Sequence, residues 1–431
     1  MKKFFINFLF VLIALLSGCR IEPDNGQNEE KGTLTILDYP GRSFRLEAAI
    51  GIFKSKYPDI EVQVLDNHGD SESWDSYAAK ISTEIMSGKG PDIIMNPNVT
   101  LSLNMNPYKL MRSGAFYSLN EFIRNETYAE NDILCNPILQ AGTYKGNLYI
   151  MPLGYTIPCI LTSEESLNRA GISAESCTTY LGFSEEIDRY LHDESLPLWL
   201  NESEDFTPYF PSCLGIDYVN YDLERVDFSF EKWPDIMEYY KRYNQFYSFE
   251  RGISRFTSGK DIVNERCVFT MAGTNSGENL FYHTGIINSQ MQAHWIPIPT
   301  VHGGSGAYIF DSMAITSTSS NRLLAEAFLR IMLSEEVQSS YSIYHFPIRM
   351  DCLFYRYQGG NRRLEQEGYP PLSMEWYAQF VDMVEHIETA YLSLNDTLTF
   401  HKYMKPYLAD EKSYSYCIDE LENYYSIFLS E

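Results

Sequence analysis

The stretch from Thr33 to Met95 reads TLTILDYPGRSFRLEAAIGIFKSKYPDIEVQVLDNHGDSESWDSYAAKISTEIMSGKGPDIIM. Three short apolar runs stand in it: Thr33–Leu37, Ile60–Leu65 and Ile93–Met95. Two longer amphipathic runs separate them. From Ser43 to Tyr57, Leu46, Ile50, Phe53 and Tyr57 recur at helix spacing, and Pro58-Asp59 stops the run. Trp74, Tyr77, Ala78, Ile81 and Ile85 mark a second helix, closed by Gly88. Strands alternating with helices make βαβ units, so the three strands should lie parallel in one sheet. Such sheets hold ligands beyond the carboxyl ends of their strands. The loops there are Asp38–Arg42, Asp66–Ser71 and Asn96–Asn98, which offer acidic, amide and hydroxyl groups with Tyr39 and Arg42. That chemistry suits a polar, hydroxyl-rich ligand, although each of these residue types also forms ordinary turns.

Working outward, 431 residues with 44% hydrophobic and 21% charged can bury a large core, which excludes a disordered or collagen-like chain. The length suits two or three domains. Lys and Arg number 33 against 58 acidic residues, a net charge of −25, which argues against a nucleic-acid partner because phosphate binding needs a basic face.

Toward the N-terminus, Lys2 and Lys3 precede an apolar run from Phe4 to Leu16, too short to cross a bilayer and of signal-peptide length. Residues 1–18 are expected to be a signal peptide. Leu16-Ser17-Gly18-Cys19 resembles the bacterial lipobox, which implies cleavage before Cys19 and acylation of its thiol, with Arg20–Gly32 as a flexible tether. A lipid-anchored protein on the extracytoplasmic face of the cell membrane is the expectation. Cys135, Cys159, Cys177, Cys213, Cys267, Cys352 and Cys417 are widely spaced without a CxxC, so they read mainly as small buried hydrophobes, with a disulfide left open. The eight histidines, at 68, 192, 283, 294, 302, 345, 386 and 401, are dispersed, and neither a metal site nor a cofactor is expected.

Five blocks in order carry a family resemblance. They are Phe53–Val62 (FKSKYPDIEV), Ile85–Ile93 (IMSGKGPDI), Tyr144–Pro152 (YKGNLYIMP), Thr162–Ile172 (TSEESLNRAGI), and Ala325–Ser334 with Glu336-Val337-Gln338 and Phe346-Pro347-Ile348-Arg349. Together the chain resembles the extracellular solute-binding proteins of ABC importers, in the branch with maltose- and oligosaccharide-binding members. It departs from that pattern at Thr178-Thr179-Tyr180, where the family often has Thr-Trp, and at Ala272–Ser276, where maltose-type members are rich in Trp. Residues 355–431 match no part of it.

The resemblance implies an α/β, two-lobe periplasmic-binding-protein-like (type II) fold, with mixed, mostly parallel sheets and a hinge. The first lobe would be 33–154 plus 273–319 and the second 160–271 plus 322–431, with crossings at 155–159, 272 and 320–321. Bottom-up signs agree: Asn321–Leu333 is amphipathic, Tyr155–Cys159 is extended around Pro158, and Gly303, Gly304 and Gly306 give a turn before the β-type run Tyr308–Ile315. The solute would sit between the lobes and be passed by a monomer to a membrane permease. A sugar is expected, because pyranose faces suit Tyr and Trp and its hydroxyls suit Asp, Asn and Arg. Candidate stacking residues are Tyr39, Tyr155, Trp199 and Tyr308, and candidate polar contacts are Asp38, Arg42, Asn96, Asn98, Asn275 and Asp311. Other readings are a polyamine or other small solute, a sensor lipoprotein of the same fold, or a surface glycoside hydrolase. Against an enzyme, the chain has no G-x-S-x-G and no H-E-x-x-H.

Overall fold

A computed structural model describes residues 32–39, 43–66, 73–97, 107–126, 133–193, 214–216, 218–246, 258–270, 276–340, 342–392 and 394–430. β1 (Thr33–Leu37) buries Leu34, Ile36 and Leu37. A 3-10 turn, Ser43–Leu46, leads into the helix Glu47–Lys56, which turns Ala49 and Phe53 inward. β2 (Glu61–Leu65) follows Pro58, and the next helix, Trp74–Met86, is capped by the Ser73 side chain, which accepts from the Ser76 N–H. Gly88, at φ 76°, ends that helix before β3 (Ile93–Met95). β1 pairs in parallel with both β2 and β3, so the opening βαβ reading holds.

A tight hairpin follows, β4 (Thr143–Tyr144) and β5 (Asn147–Leu148), with Lys145 and Gly146 both at positive φ as a two-residue turn requires. β6 (Ile150–Thr156) and β7 (Cys159–Ser163) are buried along their whole length on either side of Ile157-Pro158. The helix Glu164–Ala170 starts on a Ser163 cap and stops at Gly171 in the left-handed region. A second hairpin is β8 (Val219–Asn220) and β9 (Arg225–Val226). β10 (Ala293–Pro297), the long β11 (Ser305–Ile315), β12 (Phe346–Pro347) and β13 (Ile387–Tyr391) complete the strands.

The main sheet runs β12-β6-β11-β3-β1-β2, with β13 beside β11. β11 inserts antiparallel between β6 and β3, while its first residues pair in parallel with β13. The sheet is therefore mixed, its parallel part confined to β1–β3 and to β11 with β13.

Asp92 fastens the late chain to this early sheet. Its Oδ2 accepts from the Thr35 N–H and hydroxyl, each at 2.8 Å, and its Oδ1 accepts from the Ser319 hydroxyl at 2.6 Å. Asn321 Nδ2 donates to the Thr33 carbonyl at 3.0 Å. The helix Arg322–Met332 then packs on Glu47–Lys56, with the Phe53 and Phe328 rings edge to face at 5.7 Å. Burying one such ring is worth about 1.5–3 kcal/mol.

Two boundaries differ from the sequence reading. The helix Arg322–Met332 was expected in the second lobe, yet its apolar face covers the first-lobe helix. β10 was expected in the first lobe, yet it pairs antiparallel with β7, since its apolar residues need a ladder partner there. The helix Met374–Glu385 stops short of Ile387–Tyr391, which is strand and borders β11.

Two apolar clusters result. One surrounds β1, β3 and β6; the other gathers Tyr218, Trp233, Phe400 and Tyr425. Trp233 is fully buried, and Trp295 donates its Nε1–H to Thr284 at 2.8 Å. The β8–β9 hairpin also reaches the first cluster. Tyr221 stacks on Tyr108 at 4.0 Å and 7°, and the Lys145 N–H donates to Asp222 Oδ1 at 3.1 Å. The described cysteines, 135, 159, 177, 267, 352 and 417, are unpaired and buried, and Cys213 lies outside the described residues. Among the described residues, no helix is long and apolar enough to cross a membrane.

His283, on the helix Gly277–Asn288, accepts from the Gly259 N–H at its Nδ1, 3.3 Å away. Burial, with Arg363 and Lys260 nearby, pushes its pKa down from 6.5 to about 4. As pH falls through that window, the unfolded chain takes up a proton that the folded chain refuses, so stability is lost. His283→Gln is expected to flatten the decline of Tm between pH 6.5 and 4 relative to the parent. Parallel thermal melts check this, and equal slopes would reject it.

Candidate functional site

The carboxyl edge of the main sheet gathers residues from six places in the chain. β1 ends at Asp38-Tyr39 and β3 at Asn96, while Gly154 lies near the end of β6. β11 enters this edge at Phe310-Asp311, and Tyr344-His345 precede β12. Arg45 stands in the 3-10 turn after β1.

Asp311 is the centre. Opposite β6 the register runs Ile309↔Tyr155, Asp311↔Gly154, Ser312↔Pro152, so the ladder is irregular on both sides of Asp311. A bulge of this kind re-aims a side chain out of the strand's alternation. The Asp311 carboxylate, 4% exposed, accepts from Arg45 Nη1 at 3.1 Å and from the His345 Nδ1–H at 2.9 Å. His345 stacks on Phe310 at 4.4 Å and 14°, and Tyr344 meets the His345 ring edge-on at 5.4 Å. The Arg45 guanidinium lies 5.5 Å from the centre of the Tyr344 ring. Asp311 and His345 are thus buried, whereas Tyr344 is 38% exposed. What faces outward is an aromatic ring and part of a guanidinium above a neutralised carboxylate. Removing one partner of such a buried pair costs about 3–5 kcal/mol.

Asn96 ties β3 to this bulge. It stands at φ 49°, which Asn tolerates, donates its N–H to the Ser312 carbonyl at 2.7 Å and accepts the Ser312 N–H on Oδ1 at 2.8 Å. Asp38, 2% exposed, accepts the Tyr39 N–H at 2.8 Å, and the half-buried Tyr39 ring lies edge-on to Trp74 at 5.3 Å. Of the residues singled out from sequence, Asp38, Tyr39, Asn96 and Asp311 therefore share this edge.

Tyr155 and Tyr308, expected to stack a solute, are packed instead. The Tyr155 ring is fully buried beside Phe346 at 5.8 Å, and burial raises the pKa of its hydroxyl and lifts the adjacent Cys135 thiol to about 11. Tyr308, 1% exposed, belongs to the second apolar cluster. Core on both faces of these strands leaves neither ring an open side in this conformation. Arg42, Asn98, Trp199, Asn275 and Cys19 lie outside the described residues. Arg45, Phe310, Tyr344 and His345 went unread from sequence. Arg45 was hidden in a helix read for its apolar stripe, and Tyr344-His345 adjoin the Phe346–Arg349 block without being part of it.

A concavity of about 590 Å³ is lined by Tyr117, Asn120, Glu121, Arg124 and Asn147 and shares no residue with the Asp311 cluster. Its amides are occupied: Asn120 Nδ2 donates to the Gly146 carbonyl and Asn147 Oδ1, both at 3.2 Å. Convergent buried charge favours the Asp311 cluster. Among the described residues, no group of three His, Cys, Asp or Glu is placed to hold a metal ion.

Residues 48–348 match the family model of bacterial extracellular solute-binding proteins, well over half of the chain. The fold is similar to that of the sugar-binding protein MalE from the phytopathogen Xanthomonas citri. The two share 14% identity over 92% of this chain and 97% of that one, with a TM-score of 0.62. It is also similar to an ABC substrate-binding protein of Listeria monocytogenes in complex with cycloalternan (12% identity, 93% and 100% covered, TM-score 0.58). A third likeness is to the GacH receptor of Streptomyces glaucescens, known unliganded and with acarbose (14% identity, 93% and 99% covered, TM-score 0.56).

A Cβ added at Gly154 would stand 2.8 Å from both Asp311 Oδ2 and Ile343 Cγ2. Gly154→Ala is expected to lose about 1–3 kcal/mol of stability through overpacking and to displace the Asp311 carboxylate. Urea titration measures the first and a crystal structure of the variant the second.

Proposed function

This chain belongs to the bacterial extracellular solute-binding proteins, and from that premise we propose that it captures a carbohydrate at the Asp311 edge and releases it chemically unchanged to an ABC permease. The observation that carries the reading is the Arg45–Asp311–His345 cluster beneath the exposed Tyr344, set at the bulge of β11 against β6. A pyranose presents an apolar C–H face for Tyr344 and hydroxyls for Arg45 and the amide of Asn96. The structural relatives named for sugar, cycloalternan and acarbose support a sugar or oligosaccharide. Hinge closure would bring the second lobe onto the bound solute, which favours the closed state because only that state offers contacts from both sides.

A polyamine is disfavoured at this place. The Asp311 carboxylate that would attract it is already shared by Arg45 and His345. Catalysis is disfavoured for the same reason, since a carboxylate held by a cation makes a poor general acid. Cys19 would carry the lipid that keeps the protein, as a monomer, at the extracytoplasmic face of the membrane.

Titration calorimetry against malto-oligosaccharides and spermidine is the direct check. Binding of an oligosaccharide is expected, with Arg45→Ala weakening it at least tenfold while circular dichroism stays unchanged. Spermidine binding alone, or time-dependent cleavage of the sugar, would overturn the reading. For the anchor, Cys19→Ser is expected to abolish incorporation of labelled palmitate and free the protein from the membrane fraction.

A further inference from the structure

Arg356, on the helix Leu353–Gln366, is 2% exposed. Its guanidinium donates to four backbone carbonyls: Gln338 at 3.3 Å, Ser339 at 3.4 Å, Ser340 at 2.9 Å, and Ile343. These carbonyls belong to one short stretch, from the end of the helix Glu335–Gln338 to the residue before Tyr344. Carbonyls at a helix carboxyl end carry partial negative charge, so a cation there is held electrostatically as well as by hydrogen bonds.

The stem of the side chain is gripped too. A Cβ at Gly277 would stand 2.8 Å from Arg356 Cβ and Cγ and 2.9 Å from the Phe346 ring. Glycine at 277 therefore lets the helix Gly277–Asn288 close over Arg356 and Phe346 together. Gln338 adds a second brace, its Nε2 donating to the Leu153 and Met332 carbonyls at 3.2 and 3.0 Å. The fork of a guanidinium can meet several carbonyls in one plane, which an ammonium cannot reproduce.

We propose that Arg356 is a positioning residue for the solute cleft: by gripping the carbonyls of the 338–343 stretch, it sets where Tyr344 and His345 stand over Arg45 and Asp311. The proposal rests on reading that cluster as the solute site, though its primary test needs no solute. Filling a core and positioning a loop predict different outcomes. A filler is replaceable by methionine with no change at His345. A positioning residue is not, because the loop carbonyls lose their common partner.

The test uses the full-length chain carrying ¹⁵N-histidine, with His345 assigned by His345→Gln. In Arg356→Met, the His345 ring signals are expected to move toward those of a free imidazole, while the signals of the exposed His386 stay in place. Arg356→Lys is expected to lie between Met and the parent. Maltotriose affinity is expected to fall more than tenfold in Arg356→Met and less in Arg356→Lys. Unchanged His345 signals in a folded Arg356→Met protein would overturn the proposal. If Arg356→Met does not fold, parental His345 signals in Arg356→Lys would do the same. If the parent binds no maltotriose, the carbohydrate reading fails, and the ring signals still decide the role of Arg356.

Discussion

The constraint on which the structure depends is that one strand must serve two cores. β11 is eleven residues long, roughly 36 Å when extended. Met313, Ala314 and Ile315 lie against β3 in the first apolar cluster, while Tyr308 lies in the second. Among the described residues no nearer segment joins β3 to β6, so the main sheet stays incomplete until residues more than 200 positions after β3 arrive. The bulge at Asp311 falls where β11 passes from one set of partners to the other. The ladder is irregular there, and the Asp311 carboxylate meets Arg45 and His345 instead of a neighbouring strand.

Such an insertion closes a long loop, and loop closure is paid for in entropy. Local contacts must hold it. Asp92 binds β1 on one side and Ser319 and Asn321 on the other, so the residues that follow β11 are locked to those that begin the sheet. The Pro91-Asp92-Ile93 run thus has a structural reason. Pro91 ends the turn, Asp92 crosses over to β1, and Ile93 starts β3. Thr316 reinforces the same seam by donating its hydroxyl to the Pro91 carbonyl at 2.7 Å.

Legibility followed the range of the forces involved. β1, β3 and the helix Trp74–Met86 were readable because periodicity, caps and stops are local, and the Gly171 stop after Glu164–Ala170 was equally plain. Lobe boundaries were less so. β10 and the helix Arg322–Met332 took partners decided by packing far away in sequence. Asp38 and Asn96 could be placed at the sheet edge from sequence because strand ends follow from local pattern. Tyr155 and Tyr308 misled for a related reason. An aromatic in a crossing strand has the same local signature whether it faces the cleft or the core, and only burial separates the two. Arg45 and His345 could not be paired with Asp311 from sequence, since 266 and 34 residues separate them from it.

The electrostatics of the site also explain why the strong overall charge says little about the solute. The chain carries a net −25, yet the Asp311 carboxylate is buried and shared between a guanidinium and an imidazole. A charge fully exposed to water is screened within about 10 Å at 0.1 M salt. What this edge presents outward is the Tyr344 ring and part of the Arg45 guanidinium, with the Asp311 carboxylate already shared beneath them. Bringing a second lobe onto such a surface removes water from hydrogen-bonding groups. The closure is favourable only if the solute returns those hydrogen bonds without adding an unpaired buried charge. A neutral polyol meets both conditions, whereas a free cation meets neither while Arg45 stays in place.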